Sequence, residues 1–139
     1  MLSYDAGPTD TPILEETIGA NFERTVAAHP DTLALVDRGQ GLRYTYAELN
    51  AEVDLIARGL MARGIEKGDR VGVWSPNCAQ WIVTQLATAK IGAILVNVNP
   101  AYRVHELAYA LNQSGMRVLV SATSFKTSDY AAMIAEVRP

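Results

Sequence analysis

Apolar and polar positions change period several times along this 139-residue chain, and each change marks an element. From Leu14 to Ala28, Ile18, Phe22 and Val26 recur every fourth residue, which predicts a helix with one apolar stripe, ended by His29-Pro30. Leu33–Val36 and Leu42–Thr45 are short apolar and aromatic runs around Asp37-Arg38-Gly39-Gln40-Gly41, the signature of a hairpin with a solvated, charged turn. Thr45-Tyr46-Ala47-Glu48 spells a capping box, in which hydroxyl and carboxylate each satisfy an orphan amide. A long helix follows, with Leu49, Val53, Ile56, Leu60 and Met61 predicted as its buried stripe, Asn50, Asp54 and Arg58 opposite, and Gly64 at its C-terminal turn.

Between Gly68 and Ser121 the period alternates between strand and helix. Arg70–Trp74, Gly92–Val96 and Met116–Val120 are β-branched runs, and the amphipathic segments between them are long enough to be crossover helices. In the first crossover, Gln80, Thr84 and Thr88 form a thin polar stripe, with Trp81, Ile82, Leu86 and Ala89 toward apolar surroundings. The second carries Val104, Leu107, Ala108 and Leu111 and closes at Gly115, and a last helix is predicted from Asp129 to Val137. Parallel strands cannot be joined by a tight hairpin, so the pattern predicts an α/β fold. We expect a doubly wound, mostly parallel sheet with helices on both faces, plus the N-terminal helix and β-hairpin. Residues 1–13 are expected to be a loose leader and residues 14–139 the folded portion.

Composition narrows the function classes. Apolar residues make up 49% and charged residues 19%, with a net charge of -3, which argues against a nucleic-acid partner needing clustered Lys and Arg. Cys78 is the single cysteine, so the chain holds neither an intrachain disulfide nor a multi-Cys zinc site, and a reducing compartment, the cytoplasm, is expected. The most apolar window, Trp81–Val98, is interrupted by polar residues and divided by Gly92, and reads as core rather than as a membrane span.

The strong catalytic motifs are missing: no glycine-rich loop ending in Gly-Lys-Ser or Gly-Lys-Thr, no Gly-x-Gly-x-x-Gly, no Gly-x-Ser-x-Gly and no His-Glu-x-x-His. His29 and His105 stand alone, so neither a metal site nor a catalytic residue is assigned, and Glu106 suits dipole complementarity in a first helical turn. Cys78 reads as a structural thiol. Position then becomes the guide, because ligands of parallel sheets lie outside the carboxyl ends of the strands. Asn77, Asn99 and Arg103 occupy those ends and are the candidate substrate-binding residues, with turn-making or surface roles as the alternative.

Four blocks in order, Tyr44–Leu49, Gly68–Asn77, Ala87–Ala93 and Asn97–Arg103, give the chain from about Leu14 onward a resemblance to the N-terminal part of acyl-CoA synthetases. These belong to the adenylate-forming, AMP-binding superfamily. The Asn-Pro-Ala-Tyr-Arg variant at 99–103 is most similar to the fatty-acid-activating branch. The resemblance implies a two-step ligase. ATP and Mg assist a fatty carboxylate in forming an acyl-adenylate, and the CoA thiol then displaces AMP. It also implies that the pyrophosphate-binding loop, the adenine contacts and the catalytic lysine have no counterpart in these 139 residues, which would form an incomplete N-terminal subdomain.

On that reading the chain supplies one wall of a catalytic cleft, binds none of ATP, Mg or CoA by itself, and is inactive alone. The implied partners are fatty acid, ATP and CoA acting through a full-length protein, and a homodimer. The alternative is a stand-alone, flavodoxin-like binding module without catalysis. The open sheet edges expected of such a chain predict self-association or marginal stability.

Overall fold

Val71, Gly72, Val73 and Trp74 are all buried, as expected of a strand covered on both faces, and they lie in β3 (Arg70–Trp74), the middle strand of the sheet. The computed structural model describes residues 3–8, 10 and 12–137. On either side of β3 run β4 (Ile94–Val98) and β5 (Val118–Ser121), both parallel to it, in the order β4-β3-β5. The register pairs Val71 with Leu95 and with Val118, and Trp74 with Val98 and with Ser121.

Two helices cover one face of this sheet, α2 (Tyr46–Ala62) and α3 (Ala79–Ile91), and α1 (Ile18–Ala28) packs on both of them. The hairpin β1 (Leu33–Asp37) and β2 (Leu42–Thr45) packs with them. Their core joins Phe22, Leu49, Val53, Ala57, Val83 and Ala87. Leu60 and Ile65 continue it onto Val71, Val118 and Val120 of the sheet. The opposite face is covered by α4 (Val104–Ser114) and α5 (Tyr130–Val137), where Leu107, Tyr130 and Met133 close over Trp74 and Val98. Helices on both faces make the sheet doubly wound, as the sequence predicts.

Gly72 sits on the second face at a point of close approach. A Cβ there would run into Met116 Sδ and lie 3.0 Å from Leu119 Cδ1. Gly92 ends α3 in the left-handed region, φ 72°, and donates back to the helix carbonyls, the C-terminal role for which glycine is suited.

Several boundaries differ from the sequence reading. Helix α1 begins only at Ile18, because the Thr17 hydroxyl caps it by accepting the Ala20 amide, and Ile18 itself is exposed rather than on the buried stripe. In α2 the buried line is Leu49, Val53, Ala57 and Leu60. Ile56 and Met61 are exposed, because α3 and the sheet meet the helix along the Ala57 side. Asn50 and Asp54, expected opposite the core, instead turn toward α3 and bond Lys90. In α3 the buried line is Ala79, Val83, Thr84, Ala87 and Thr88, with both hydroxyls bonded back to helix carbonyls, so Thr84 and Thr88 of the predicted polar stripe lie inside while Gln80 is exposed. Strands β4 and β5 each begin two residues later than predicted.

A short hairpin, β6 (Ser124–Phe125) with β7 (Ser128–Asp129), lies where the sequence showed only a connection. Of the predicted leader, residues 3–8, 10, 12 and 13 carry neither helix nor strand; the rest lies outside the described residues. No described helix is long and apolar enough to cross a membrane.

Candidate functional site

The turn from β3 into α3, Ser75-Pro76-Asn77-Cys78, is where the fold places a site. Strand β3 delivers its chain to the α3 face, whereas β4 and β5 deliver theirs toward α4 and α5, so the connections part around the carboxyl end of β3. A cleft opens on each side of this turn. The first, about 610 Å³, is walled by Leu35 and Val36 of β1, Trp81 and Ile82 of α3, and Asn97 and Pro100 at the exit of β4. The second, about 550 Å³, lies between α3 and the exit of β5, against Gln80, Trp81, Val120 and Ser121. Ser75, Cys78 and Trp81 line both, so the half-buried indole of Trp81 stands between the two.

The hairpin turn builds the outer rim; Arg38 to Gly41 are exposed, as expected of a solvated turn, and Asp37 at its start takes a further role. Cys78 stands at the N-cap of α3, but its side chain caps nothing; its Sγ lies 3.3 Å from Ser75 Oγ. The missing acceptor comes from Asp37, whose Oδ2 accepts the Ala79 amide at 2.9 Å from across the fold. The same carboxylate accepts the Gln40 backbone and side-chain N–H groups at 3.0 and 2.9 Å. The amides of Gln40 and Gln80 exchange a reciprocal pair of bonds at 2.8 Å. Bonds from the Gln40 and Ala79 amides hold the Asp37 carboxyl below its ordinary pKa. Its neighbour Arg38 lines the first cleft, is exposed, and forms no ion pair among the described residues.

On the other side, the exit of β4 is held by aromatic side chains. Trp74 Nε1 donates to the carbonyl of Asn99 at 3.0 Å and the Tyr130 hydroxyl donates to the carbonyl of Pro100 at 2.5 Å. Burial pushes the Tyr130 phenol above its ordinary pKa. Trp81 Nε1 donates to Asn97 Oδ1 at 3.3 Å, which ties the indole to the strand beneath it.

The candidate residues fall into two groups. Asn77 is exposed and lines the first cleft. Asn99 and Arg103 line neither cleft. Asn99 Oδ1 accepts the Ala101 amide at 2.9 Å, an Asx turn, while Arg103 Nη1 donates to Ser128 Oγ at 2.7 Å and so secures the β6–β7 hairpin. The Glu106 carboxylate accepts the Arg103 amide at 3.0 Å, and bonds from the Glu106 and Arg103 amides lower its pKa, as suits a first helical turn.

Asp37, Arg38, Gln40 and Trp81 were missed as cleft residues by the sequence reading. One signal was available: a helix opening on Cys78, a poor capper, needs its acceptor from elsewhere. Lys90 was likewise missed. Its side chain is 9% exposed and its Nζ meets Asp54 at 2.7 Å, Asn50 at 2.8 Å and Glu23 at 3.0 Å, binding α1, α2 and α3 together. Burial opposes its charge, and the bonds to Asp54 and Glu23 outweigh burial, so its pKa is raised. Among the described residues, no group of three or more His, Cys, Asp or Glu is placed to hold a metal ion.

The sequence pattern of the family described as AMP-binding enzyme matches residues 22–139. The chain is 44% identical over 138 residues to the medium-chain acyl-CoA ligase ACSF2, mitochondrial, of Macaca fascicularis, and 43% identical over 138 residues to that of Mus musculus. Each alignment covers 99% of this chain and 22% of the ligase, so the chain spans about a fifth of their length. The crystal structure of the N-terminal domain of FACL13 from Mycobacterium tuberculosis superposes with a TM-score of 0.80 at 30% identity, covering 87% of this chain and 30% of that one.

Proposed function

The chain belongs to the AMP-binding enzyme family, and from that premise we propose that it forms the N-terminal α/β portion of an acyl-CoA ligase. The single observation that carries this is the alignment with ligases over 99% of the chain at 44% identity. Activation of a fatty acid by ATP, through an acyl-adenylate to a CoA thioester, is the proposed activity of the whole enzyme. The family match and the named relatives weigh against an unrelated flavodoxin-like module.

The part proposed for these residues is to build one wall. Strands β3, β4 and β5 present their carboxyl ends to the reaction cleft, the Asp37 cap and the Trp74–Tyr130 pair hold the exits of β3 and β4, and Trp81 separates the two recesses. We keep Asn77, Asn99 and Arg103 as proposed substrate-binding residues. Asn77 is supported by its place at the first cleft; for Asn99 and Arg103 the support is only their position after the carboxyl end of β4, where Asn99 turns the backbone and Arg103 holds the β6–β7 hairpin. Mg, which the family reading implies, finds no ligand set among the described residues, and no role proposed for this chain passes through it.

No Thr/Ser/Gly-rich phosphate loop occurs in the 139 residues, so nothing preorganised faces the charge that develops on a transferring phosphoryl group. These residues by themselves are therefore proposed neither to adenylate nor to form a thioester. The purified chain, incubated with ATP, CoA and a panel of fatty acids, is expected to release no pyrophosphate above the blank. Saturable turnover would overturn that reading. A reducing compartment is compatible with the single Cys78. The cytoplasm is our proposal, to be tested by imaging against the mitochondrion named for the two ligases. Self-association is proposed from the single-partnered edge strands β4 and β5 and the exposed Ile94 and Met61, and a monodisperse monomer in analytical ultracentrifugation would count against it.

A further inference from the structure

We propose that the β1–β2 hairpin is a latch: its tip, fastened to the start of α3 by two side-chain links, releases as a unit while the rest of the fold stays intact. Release joins the two clefts across the Ser75–Cys78 turn. The hairpin pairs with no strand of the central sheet, and none of its strand residues is fully buried. A two-stranded hairpin of that kind is marginal by itself, and elements with little buried apolar surface open first. Its base is held by the backbone, where the Tyr46 and Ala47 amides donate to the carbonyls of Thr32 and Pro30, each at 3.0 Å. Its inner side rests on the first core through the half-buried Ala34, Leu35 and Tyr44.

At the tip, one link belongs to each cleft. Asp37, which lines the first, accepts the Ala79 amide at 2.9 Å, and Gln40, which lines the second, exchanges two bonds with Gln80 at 2.8 Å. Among the described residues no other side-chain bond joins the turn to α3, and Arg38 to Gly41 are exposed. The Gln40–Gln80 pair is open to water, which competes for both amides, so this link is the weaker of the two. With both broken, Leu35, Val36, Asp37 and Arg38 leave the wall of the first cleft and Gln40 leaves the rim of the second. Ser75, Cys78 and Trp81, which line both clefts, then face a single trough at the carboxyl end of β3. The latch is a property of these residues themselves and does not depend on the ligase reading.

The test is native-state hydrogen exchange of the intact chain, read by NMR across a series of low urea concentrations. The Ala79 amide is expected to exchange through an opening insensitive to urea, whereas the amides of β3 exchange through urea-dependent global unfolding. Gln40→Ala alters only an exposed side chain and is expected to speed Ala79 exchange about fivefold, although Gln40 does not itself bond that amide. Ala79 exchange with the urea dependence of β3 would overturn the proposal. So would Ala79 exchange unchanged in Gln40→Ala, which would make the two links independent bonds rather than one latch. Cys78 alkylation by iodoacetamide, followed by mass spectrometry, reads the joining of the clefts. It is expected to rise about fivefold in Gln40→Ala and about tenfold in Asp37→Ala; a rate unchanged in Gln40→Ala would overturn that part even if Asp37→Ala failed to fold.

Discussion

The indole of Trp74 and the phenol ring of Tyr130 lie face to face, 3.6 Å between centroids and 8° from parallel, both fully buried. One comes from the middle strand and the other from the last helix. Each donates its polar tip to one of two consecutive carbonyls, Asn99 and Pro100, at the exit of β4. The pair therefore joins sheet, exit loop and C-terminal helix. Truncation is expected to be severe: Tyr130→Ala should cost about 3–5 kcal/mol. Tyr130→Phe keeps the ring and loses only the bond to Pro100, about 1 kcal/mol. Urea unfolding of the three proteins separates these contributions.

Acid should act through the hairpin cap. The Asp37 carboxyl is depressed in the folded chain by the bonds it accepts, so its contribution is fully present above the ordinary carboxylate value of about 3.9 and is lost as pH falls through the lower folded value. Asp37→Asn should be less stable than the parent at neutral pH, and the two melting curves should converge at the acid end. Thermal melts from neutral pH down to about pH 2 check this; a constant gap would contradict it.

Lys90 ties three helices together from a nearly buried position, with partners that are themselves partly exposed, Asp54 at 39% and Glu23 at 62%. Lys90→Ala is expected to cost on the order of 1–3 kcal/mol, below the range for a fully buried pair because water screens the carboxylates left behind. Lys90→Met, which keeps the stem packed near Phe22, should cost less. Chemical denaturation of both variants gives the ordering.

At Gly72 the second face has no room for a side chain. Gly72→Val should displace Met116 and Leu119 and destabilise the fold by about 1–3 kcal/mol. Differential scanning calorimetry would show a lowered Tm, and an unchanged Tm would contradict the packing described around the middle strand.

The local elements were legible where one physical cause dominates. Strand β3 carries the buried β-branched Val71 and Val73 with turn signals at both ends, and its predicted bounds match those observed. The Thr45–Glu48 capping box is complete within four residues, and both of its bonds are present. Gly115 closed its helix as expected, whereas Gly92, read as the start of the second strand, instead ends α3. What failed depended on contacts distant in sequence. Ala57 is buried and Ile56 is not because α3 and the sheet choose the side of α2. Asp37 caps a helix 42 positions away, and Lys90 recruits carboxylates from α1 and α2. For the same reason the cleft was located only to the ends of the strands, without its walls from β1. The β6–β7 hairpin, two residues per strand, carries too short a pattern to register as strand.

The central claim, that these residues build the N-terminal wall of an acyl-CoA ligase, is tested most directly by exchange. A chimera in which residues 14–137 replace the aligned segment of the Macaca fascicularis ligase should show fatty-acid-dependent pyrophosphate release from ATP and form the CoA thioester. A chimera that folds with the parental melting behaviour yet releases no pyrophosphate with any fatty acid would contradict the account.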